Sequence, residues 1–349
     1  MHRFSVIGAI LALFNLTASG EELFFKPVAK LEPGLAVPGA IDLPAWFKNS
    51  FLDIGEDVKE AAQAHKRLML YFYQDGCPYC KKLIQTNFAI KALEDKARAT
   101  VEVVAINMWG DREVIDVDGQ HITEKNFAAK MRVMFTPTLL FFNEQSKVVL
   151  RINGYYEPMR FEAVLDYVGQ KMEDKQAFRE FLAQQVKESD KPGLYTEPYA
   201  LKQPLNIARS LANGKPLLVM FEQSDCPPCG ELHNDVLKRP ETKSLIEKFN
   251  VAQVDLWADT ELINPQGRNI TMKEWAKSLD VKYAPTLVMF DKTGVEVFRT
   301  EAYLKSFHIQ SSLDYVASGA YLKEPSFQRF IEARADGLRK RGVKVDLMN

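Results

Sequence analysis

Only four of the 349 residues are cysteine, and all four are spent in two Cys-x-x-Cys pairs, Cys77/Cys80 and Cys226/Cys229. Secreted proteins held by structural disulfides scatter cysteines at longer spacings, so this scarcity argues against a stapled scaffold and for working thiols. Histidine is almost as rare, and His65, His121, His233 and His308 show no metal-ligand spacing, so they read as surface or satisfied core residues. An excess of one charge is also missing. Residues 46–190 carry 20 basic and 22 acidic side chains, and residues 191–349 carry 22 and 20. Neither half has the electrostatic footprint of a nucleic-acid binder, so no nucleic-acid partner is expected. A long hydrophobic run is lacking too. The stretch Phe4–Leu16 is too short to span a bilayer, and with Arg3 before it and Ala18-Ser19-Gly20 after it, residues 1–20 read as a secretory signal peptide rather than a buried helix. No cysteine follows the run, which argues against a lipid anchor. The expectation is a soluble mature protein starting near Glu21 in an oxidising compartment, most simply a bacterial periplasm, with no stable membrane insertion after signal cleavage.

What is present is organised around the two pairs. Each follows an apolar, β-rich run (Leu68–Tyr73; Leu217–Phe221) and opens an amphipathic segment, so each falls where a strand hands over to a helix. A thiol at a helix N-terminus faces unpaired N–H groups and the positive end of the helix dipole, which stabilise its thiolate. Three positions on, the second thiol is close enough to attack a mixed disulfide and release the partner. Pro78 and Pro227 suit the first helical turn, which has no use for the missing N–H. Cys77 and Cys226 are therefore the expected nucleophiles, and Cys80 and Cys229 the resolving thiols.

The chain repeats itself at an offset of 148 to 149 residues. Trp109–Phe142 and Trp257–Phe290 share 14 of 34 positions, among them Trp109/Trp257, Gly119/Gly267 and Pro137-Thr138/Pro285-Thr286. Such a period is far too long for a solenoid and marks a duplicated domain. The expected organisation is a signal peptide (1–20), an extended proline-rich arm (21–45), a first domain (46–190), a linker (191–203) with its junction at Lys191-Pro192-Gly193, and a second domain (204–349). Within a copy the pattern predicts a helix near Asp53–His65, strand Leu68–Tyr73, a helix from Pro78, strand Val101–Asn107, a long loop, helix Thr123–Arg132, strands Thr138–Asn143 and Lys147–Ile152, helix Phe161–Gln170 and a last helix near Gln176–Lys187. This is an α/β fold with a mixed central sheet covered by helices on both faces. A right-handed crossover makes the first two strands parallel, which brings Asn107-Met108-Trp109 and the loop holding Thr136-Pro137 to the same sheet edge as Cys77.

With a Cys-x-x-Cys after the first core strand and an x-Pro-Thr ahead of the hairpin (Thr136-Pro137-Thr138; Ala284-Pro285-Thr286), nearly the whole mature length resembles the thioredoxin-fold family, twice over. The resemblance implies two tandem thioredoxin-like domains, cis prolines facing the cysteine pairs, and protein substrates docking along Thr136, Pro137, Ala284 and Pro285. It implies thiol–disulfide exchange with protein thiols and disulfides, with no bound cofactor. The loop Trp-Gly/Ala-Asp-x-Glu…Gly-x-x-Ile-Thr and the Pro325–Phe330 stretch look like periplasmic proteins of the SoxW and DsbC/DsbG neighbourhood, which implies a membrane electron donor of the CcdA or DsbD kind. Cys-Pro-Tyr-Cys is also the glutaredoxin pair, but Gly154-Tyr155-Tyr156-Glu157 does not match the glutathione-binding glycines of that group. The buried acid that thioredoxin keeps six positions before its nucleophile is replaced by Tyr71 and Met220. Glu222 lies on the same strand face as Met220 and stands as a substitute, although a solvated rim position is the plainer reading. Neither pair contains the histidine of the strongly oxidising DsbA-type site, which favours a reductase or isomerase over an oxidase.

Two other function classes compete. Metal handling would use the Cys-x-x-Cys pairs as zinc or copper ligands, but the pairs begin 149 residues apart, far beyond ribbon spacing, and no metal site is expected. A binding module with one working site is the other, and both copies retain both cysteines and the proline loop. The charges near the pairs differ: Lys81 and Lys82 follow Cys80, whereas Gly230 and Glu231 follow Cys229, with Asp225 before Cys226. The expected consequence is a more stable Cys77 thiolate and electron flow from Cys226/Cys229 toward Cys77/Cys80.

Overall fold

The computed structural model describes residues 40–185, 194–224, 226–301 and 304–345. The signal peptide, most of the proline-rich arm, the Lys191-Pro192-Gly193 junction and Asp225 lie outside the described residues. The first lobe runs α1 (Ile54–Gln63), β1 (Arg67–Tyr73), α2 (Pro78–Lys82), α3 (Lys91–Thr100), β2 (Val101–Asn107), β3 (Glu113–Ile115), β4 (His121–Thr123), α4 (Glu124–Lys130), β5 (Thr138–Phe142), β6 (Val148–Asn153), α5 (Pro158–Gly169) and α6 (Phe178–Gln185). The second repeats it with α7 (Ile207–Ser210), β7 (Leu217–Glu222), α8 (Pro227–Asn234), α9 (Pro240–Ile246), β8 (Asn250–Asp255), β9 (Glu261–Ile263), β10 (Asn269–Thr271), α10 (Met272–Ser278), β11 (Thr286–Phe290), β12 (Glu296–Thr300), α11 (Ser306–Ala317) and α12 (Phe327–Lys340).

Each lobe holds a four-stranded mixed sheet, ordered β2-β1-β5-β6 and β8-β7-β11-β12. The first two strands of each copy pair parallel and the other neighbours antiparallel. Central strand β1 is apolar on both faces because both are covered. Leu68, Leu70 and Phe72 pack on Ile54 and Val58 of α1 and Phe127 of α4. Met69 and Tyr71, pointing the other way, pack on Leu93 and Ala97 of α3 and Phe161 and Leu165 of α5. In the second lobe Leu217, Val219 and Phe221 meet Ile207 and Trp275, while Leu218 and Met220 meet Leu232, Leu245 and Leu313.

Two features depart from the sequence pattern. The helix opening at Pro78 breaks after Lys82 into a π turn at Leu83–Asn87 and restarts as α3, a division hidden by continuous amphipathicity. The long loop after β2 carries a hairpin, β3–β4, docked by the Ile115 N–H on the Leu52 carbonyl (2.9 Å), and β9–β10 repeats it through Ile263 and Leu205 (2.9 Å). Strands of three residues are too short to show alternation. Gly119 and Gly267 take φ of +75° and +76° in the turns of these hairpins, which is why both copies keep glycine there.

The lobes belong to one compact unit, Gly39–Asn349, and share apolar packing. Tyr283 of the second lobe sits in the first lobe's core, and Met134 and Phe135 of the first pack on the second's. Tyr156 meets Tyr283 at 4.6 Å between ring centroids, and Phe135 meets Phe298 at 6.2 Å. Asn153 donates to Glu301 at 2.8 Å. The stretch read as a linker is partly built into the second lobe: the Leu201 N–H bonds the Val251 carbonyl (2.7 Å) along the outer edge of β8.

One contact fixes the loop that leaves β2. The buried Glu124 carboxylate accepts from the Asn107 N–H (3.0 Å) and the Arg112 guanidinium (2.6 Å), and a Cβ on Gly110 would fall 1.9 Å from its Oε2. The second copy has Ala258 and Met272 at these positions. Gly110→Ala should therefore destabilise the first lobe by about 1–3 kcal/mol, and adding Glu124→Met should recover part of that loss. Equilibrium denaturation of the two single variants and the double tests this; strictly additive losses would mean the two positions do not collide.

Candidate redox sites

Both cysteine pairs are closed as disulfides, with Cα–Cα separations of 5.3 Å for Cys77–Cys80 and 5.1 Å for Cys226–Cys229. Cys77 and Cys226 are the N-caps of α2 and α8: their sulfurs accept the Cys80 N–H at 3.0 Å and the Cys229 N–H at 3.2 Å. Proline follows each cap at the first helical position. All four cysteines are buried, but Cys77 and Cys226 keep 4% and 6% of their surface exposed, against 0% and 1% for Cys80 and Cys229, so the first cysteine of each pair lies nearer the surface. The Thr136–Pro137 and Ala284–Pro285 bonds are cis, as is Gln203–Pro204. Cys77 Sγ lies 3.4 Å from the Thr136 carbonyl oxygen. Strand, capped helix and proline loop thus meet at one sheet edge in each lobe, and the chemistry available there is thiol–disulfide exchange.

Each edge is covered by the sister lobe. Arg160 of α5 donates to the Ala284 carbonyl at 3.2 Å, and its guanidinium stacks on the Tyr283 ring at 4.7 Å. In return, Tyr79 of the first pair is 2% exposed, accepts the Lys305 N–H at 2.7 Å and meets the His308 ring edge-on at 5.0 Å. Lys305 also pairs through Nζ with Glu231 of α8, so one residue joins both cysteine-bearing helices. Trp109 and Trp257 anchor the loops after β2 and β8 by donating to Gln74 (2.8 Å) and Gln223 (3.1 Å). Each is then capped by the sister lobe's last helix, Trp109 by Arg329 of α12 (6.0 Å) and Trp257 by Arg179 of α6 (4.8 Å). Gln328 donates to the Met134 carbonyl (3.5 Å) and accepts from Gln74 (3.1 Å), completing the clasp over the first site.

The thioredoxin-like domain model matches residues 54–169 and again residues 204–317. The chain belongs to the thioredoxin-like domain family. Thioredoxin-like domains with closed Cys-x-x-Cys pairs are thiol–disulfide oxidoreductase modules, and this chain has two. A segment of 107 residues, 30% of the chain, is 28% identical to the thiol:disulfide interchange protein DsbD of Photorhabdus laumondii subsp. laumondii, and spans 17% of that protein. Solved structures similar to one lobe include a thioredoxin-fold protein from Helicobacter pylori (22% identity, 35% of this chain and 82% of that one, TM-score 0.32). A thioredoxin from Thermus thermophilus is another (26% identity, 34% and 86%, TM-score 0.28). The fold assignment rests on the strand order and the family match.

Two sequence expectations change at the thioredoxin-like sites. Glu222 is no solvated rim residue: it is 1% exposed, with Oε1 2.6 Å from His233 Nε2 and Oε2 accepting from Gln253 at 3.2 Å. Residues 194–199 close over that end of β7, and Glu197 takes the other ring nitrogen of His233 at 2.7 Å. The Glu231 charge, set against Lys81 and Lys82 in the sequence, is met by Lys305. Lys82 stacks on Tyr155 at 4.7 Å, and burial lowers its pKa. At the position of the missing acid, Tyr71 donates to the Cys80 carbonyl at 3.3 Å, and burial drives its pKa far up, so it stays a neutral phenol. Among the described residues no group of three or more side chains is arranged to hold a metal ion, and no helix is long and apolar enough to cross a membrane. A cavity of about 270 Å³, lined by His65, Arg67 and Thr100, lies by the start of β1, the end remote from Cys77.

His308 is the contact that sequence reasoning mistook for surface or satisfied core. Its Nδ1 has no hydrogen-bond partner among the described residues, and burial against Tyr79 and Phe307 pushes its pKa down to about 4. A histidine held neutral in the fold but free to protonate near pH 6.5 when unfolded contributes its full stability above that value and loses it as pH falls toward 4. His308→Phe should therefore gain stability relative to the parent protein as pH drops from 6.5 to 4. Denaturation midpoints measured at several pH values decide this, and parallel curves would show that His308 titrates freely.

Proposed function

We propose that this chain is a periplasmic thiol–disulfide oxidoreductase, a reductase or isomerase rather than an oxidase, that exchanges disulfides with protein substrates through two cooperating sites. The observation that carries the reading is the repeated meeting of a sulfur-capped helix and a cis-proline loop, with both pairs in the oxidised state the chemistry passes through. Cys77 and Cys226 attack, and Cys80 and Cys229 resolve. Substrate backbone docks along Thr136-Pro137 and Ala284-Pro285. Both edges are buried against the sister lobe, so protein substrates engage them when the lobes part. In the closed state Lys305 ties α2 to α8, which supports passage of electrons between the pairs. Flow runs from Cys226/Cys229 to Cys77/Cys80, and the source is a membrane dithiol donor of the CcdA or DsbD kind. The segment similar to a thiol:disulfide interchange protein supports that class of partner.

Replacing both Cys77 and Cys226 with serine should lower turnover of a protein disulfide by about a hundredfold or more. If the sites work in series, either single variant should lose nearly as much. Assays with a fluorescently labelled protein disulfide and a dithiol donor check both points. Independent sites would leave each single variant about half the activity, and an active double variant would remove the nucleophile assignment.

A further inference from the structure

The two sites are unlike beneath the surface. Behind Cys226–Cys229 lies a chain of three ionisable groups, the buried Glu222 of β7 and His233 of α8 and the half-buried Glu197 of the stretch before α7, linked at 2.6 and 2.7 Å. His233 follows Cys229 by four residues on one helix, which places it on the same face with the Cβ atoms about 5–6 Å apart. Both ring nitrogens point at carboxylates, so both donate and the ring is an imidazolium between two anions, with one net negative charge. The first copy has Tyr73 and Ile84 at the positions of Glu222 and His233, and its strand end is an aromatic stack of Tyr71 and Tyr73 at 5.8 Å.

The other groups around this chain leave its charge in place. Gln253 of β8 is neutral. The Tyr195 ring stacks flat on His233 at 4.7 Å. Burial, with the Glu197 charge beside it, holds Tyr199 well above the usual phenol range and neutral. Glu231 of α8 is paired with Lys305, and Asp235, just past the end of α8, with Arg239. Gly230 admits the Tyr195 cover, since a Cβ there would lie 2.8 Å from the tyrosine hydroxyl; Lys81 holds the matching position in the first copy.

We propose that the Glu197–His233–Glu222 chain sets the redox poise of the second site, keeping negative charge and a transferable proton one helical turn from Cys229 so that Cys226/Cys229 is the more reducing pair. The inference rests on the oxidoreductase reading above. A fixed negative charge disfavours the Cys226 and Cys229 thiolates, and destabilising the thiolate makes a dithiol a stronger reductant. In the forward direction the Cys226 thiolate attacks an acceptor disulfide, forming a mixed disulfide and releasing one acceptor sulfur as thiolate. Cys229 then gives its proton to the chain and attacks Cys226 Sγ; the Cys226–Cys229 bond forms, the second acceptor sulfur leaves, and two electrons have passed to the acceptor. A dithiol on a donor protein reduces the pair again. Burial opposes the charged ring, but the hydrogen bonds and charges of Glu222 and Glu197 outweigh it and hold the His233 pKa above its ordinary value. These three are positioning residues, acting through the cysteines without touching substrate.

The test uses full-length protein with Cys77→Ser and Cys80→Ser, which reads the second site alone, with and without Glu222→Gln or Glu197→Gln. Each sample is equilibrated with glutathione redox buffers, and its thiolate is titrated by absorbance. Each substitution should move the exchange constant at least tenfold toward the dithiol, about 30 mV less reducing, and lower the Cys226 pKa. Glu197, at 17% side-chain exposure, keeps the test open if Glu222→Gln does not fold. Folded variants whose constants and thiol pKa values match the parent overturn the proposal. Failure of the underlying reading looks different, because the parent pair would then not exchange with the buffer at all.

Discussion

The structure depends on one constraint: each lobe's redox edge is buried by the other lobe. A single thioredoxin-like domain presents its capped disulfide and proline carbonyl to water. Here Arg160 occupies the Ala284 carbonyl, and Tyr79, inside the first Cys-x-x-Cys, is fixed by Lys305 and His308. The arrangement is reciprocal because the lobes are copies. Arg160 and His308 stand at matching turns of α5 and α11, and Arg179 and Gln328 at matching turns of α6 and α12. Duplication therefore supplied both the second site and the cover for the first. A buried polar edge costs free energy unless its groups find partners, and the Gln74–Gln328 and Arg160–Ala284 hydrogen bonds are those partners.

Most of the fold was legible because it depends on local pattern. Apolar runs, capping residues and a repeated Cys-Pro-x-Cys placed the strands, helices and cysteines within a few residues. The missed hairpins were too short to carry a period, and the break at Leu83–Asn87 left amphipathicity intact. What could not be read was tertiary. Nothing local distinguishes a rim glutamate from one buried under residues 194–199, so Glu222 was misplaced. Tyr79 enters the sequence only as a member of Cys-Pro-Tyr-Cys, and its partner is a backbone N–H 226 residues away. One signal was available: glutamine and tryptophan recur together in both copies, Gln74/Trp109 and Gln223/Trp257, as a hydrogen-bonded pair would.

The difference between the sites also moved from surface to interior. Exposed lysines and glutamates near a thiol are screened by water and salt, and Glu231 is further offset by Lys305. Buried groups keep their influence because little solvent separates them from the sulfur. The second site is therefore distinguished by Glu222, His233 and Glu197 more than by the residues beside its cysteines. The first is distinguished by neutral phenols and by its contact with the sister lobe.

The closed clasp is tested most directly at one amide, the Lys305 N–H that donates to Tyr79. In the oxidised protein, hydrogen exchange should show this loop amide protected far beyond its exposed neighbours, and Tyr79→Phe should release it while strand amides in both sheets stay protected. Exchange of the Lys305 amide at the rate of a free loop, in the unsubstituted oxidised protein, would contradict the account.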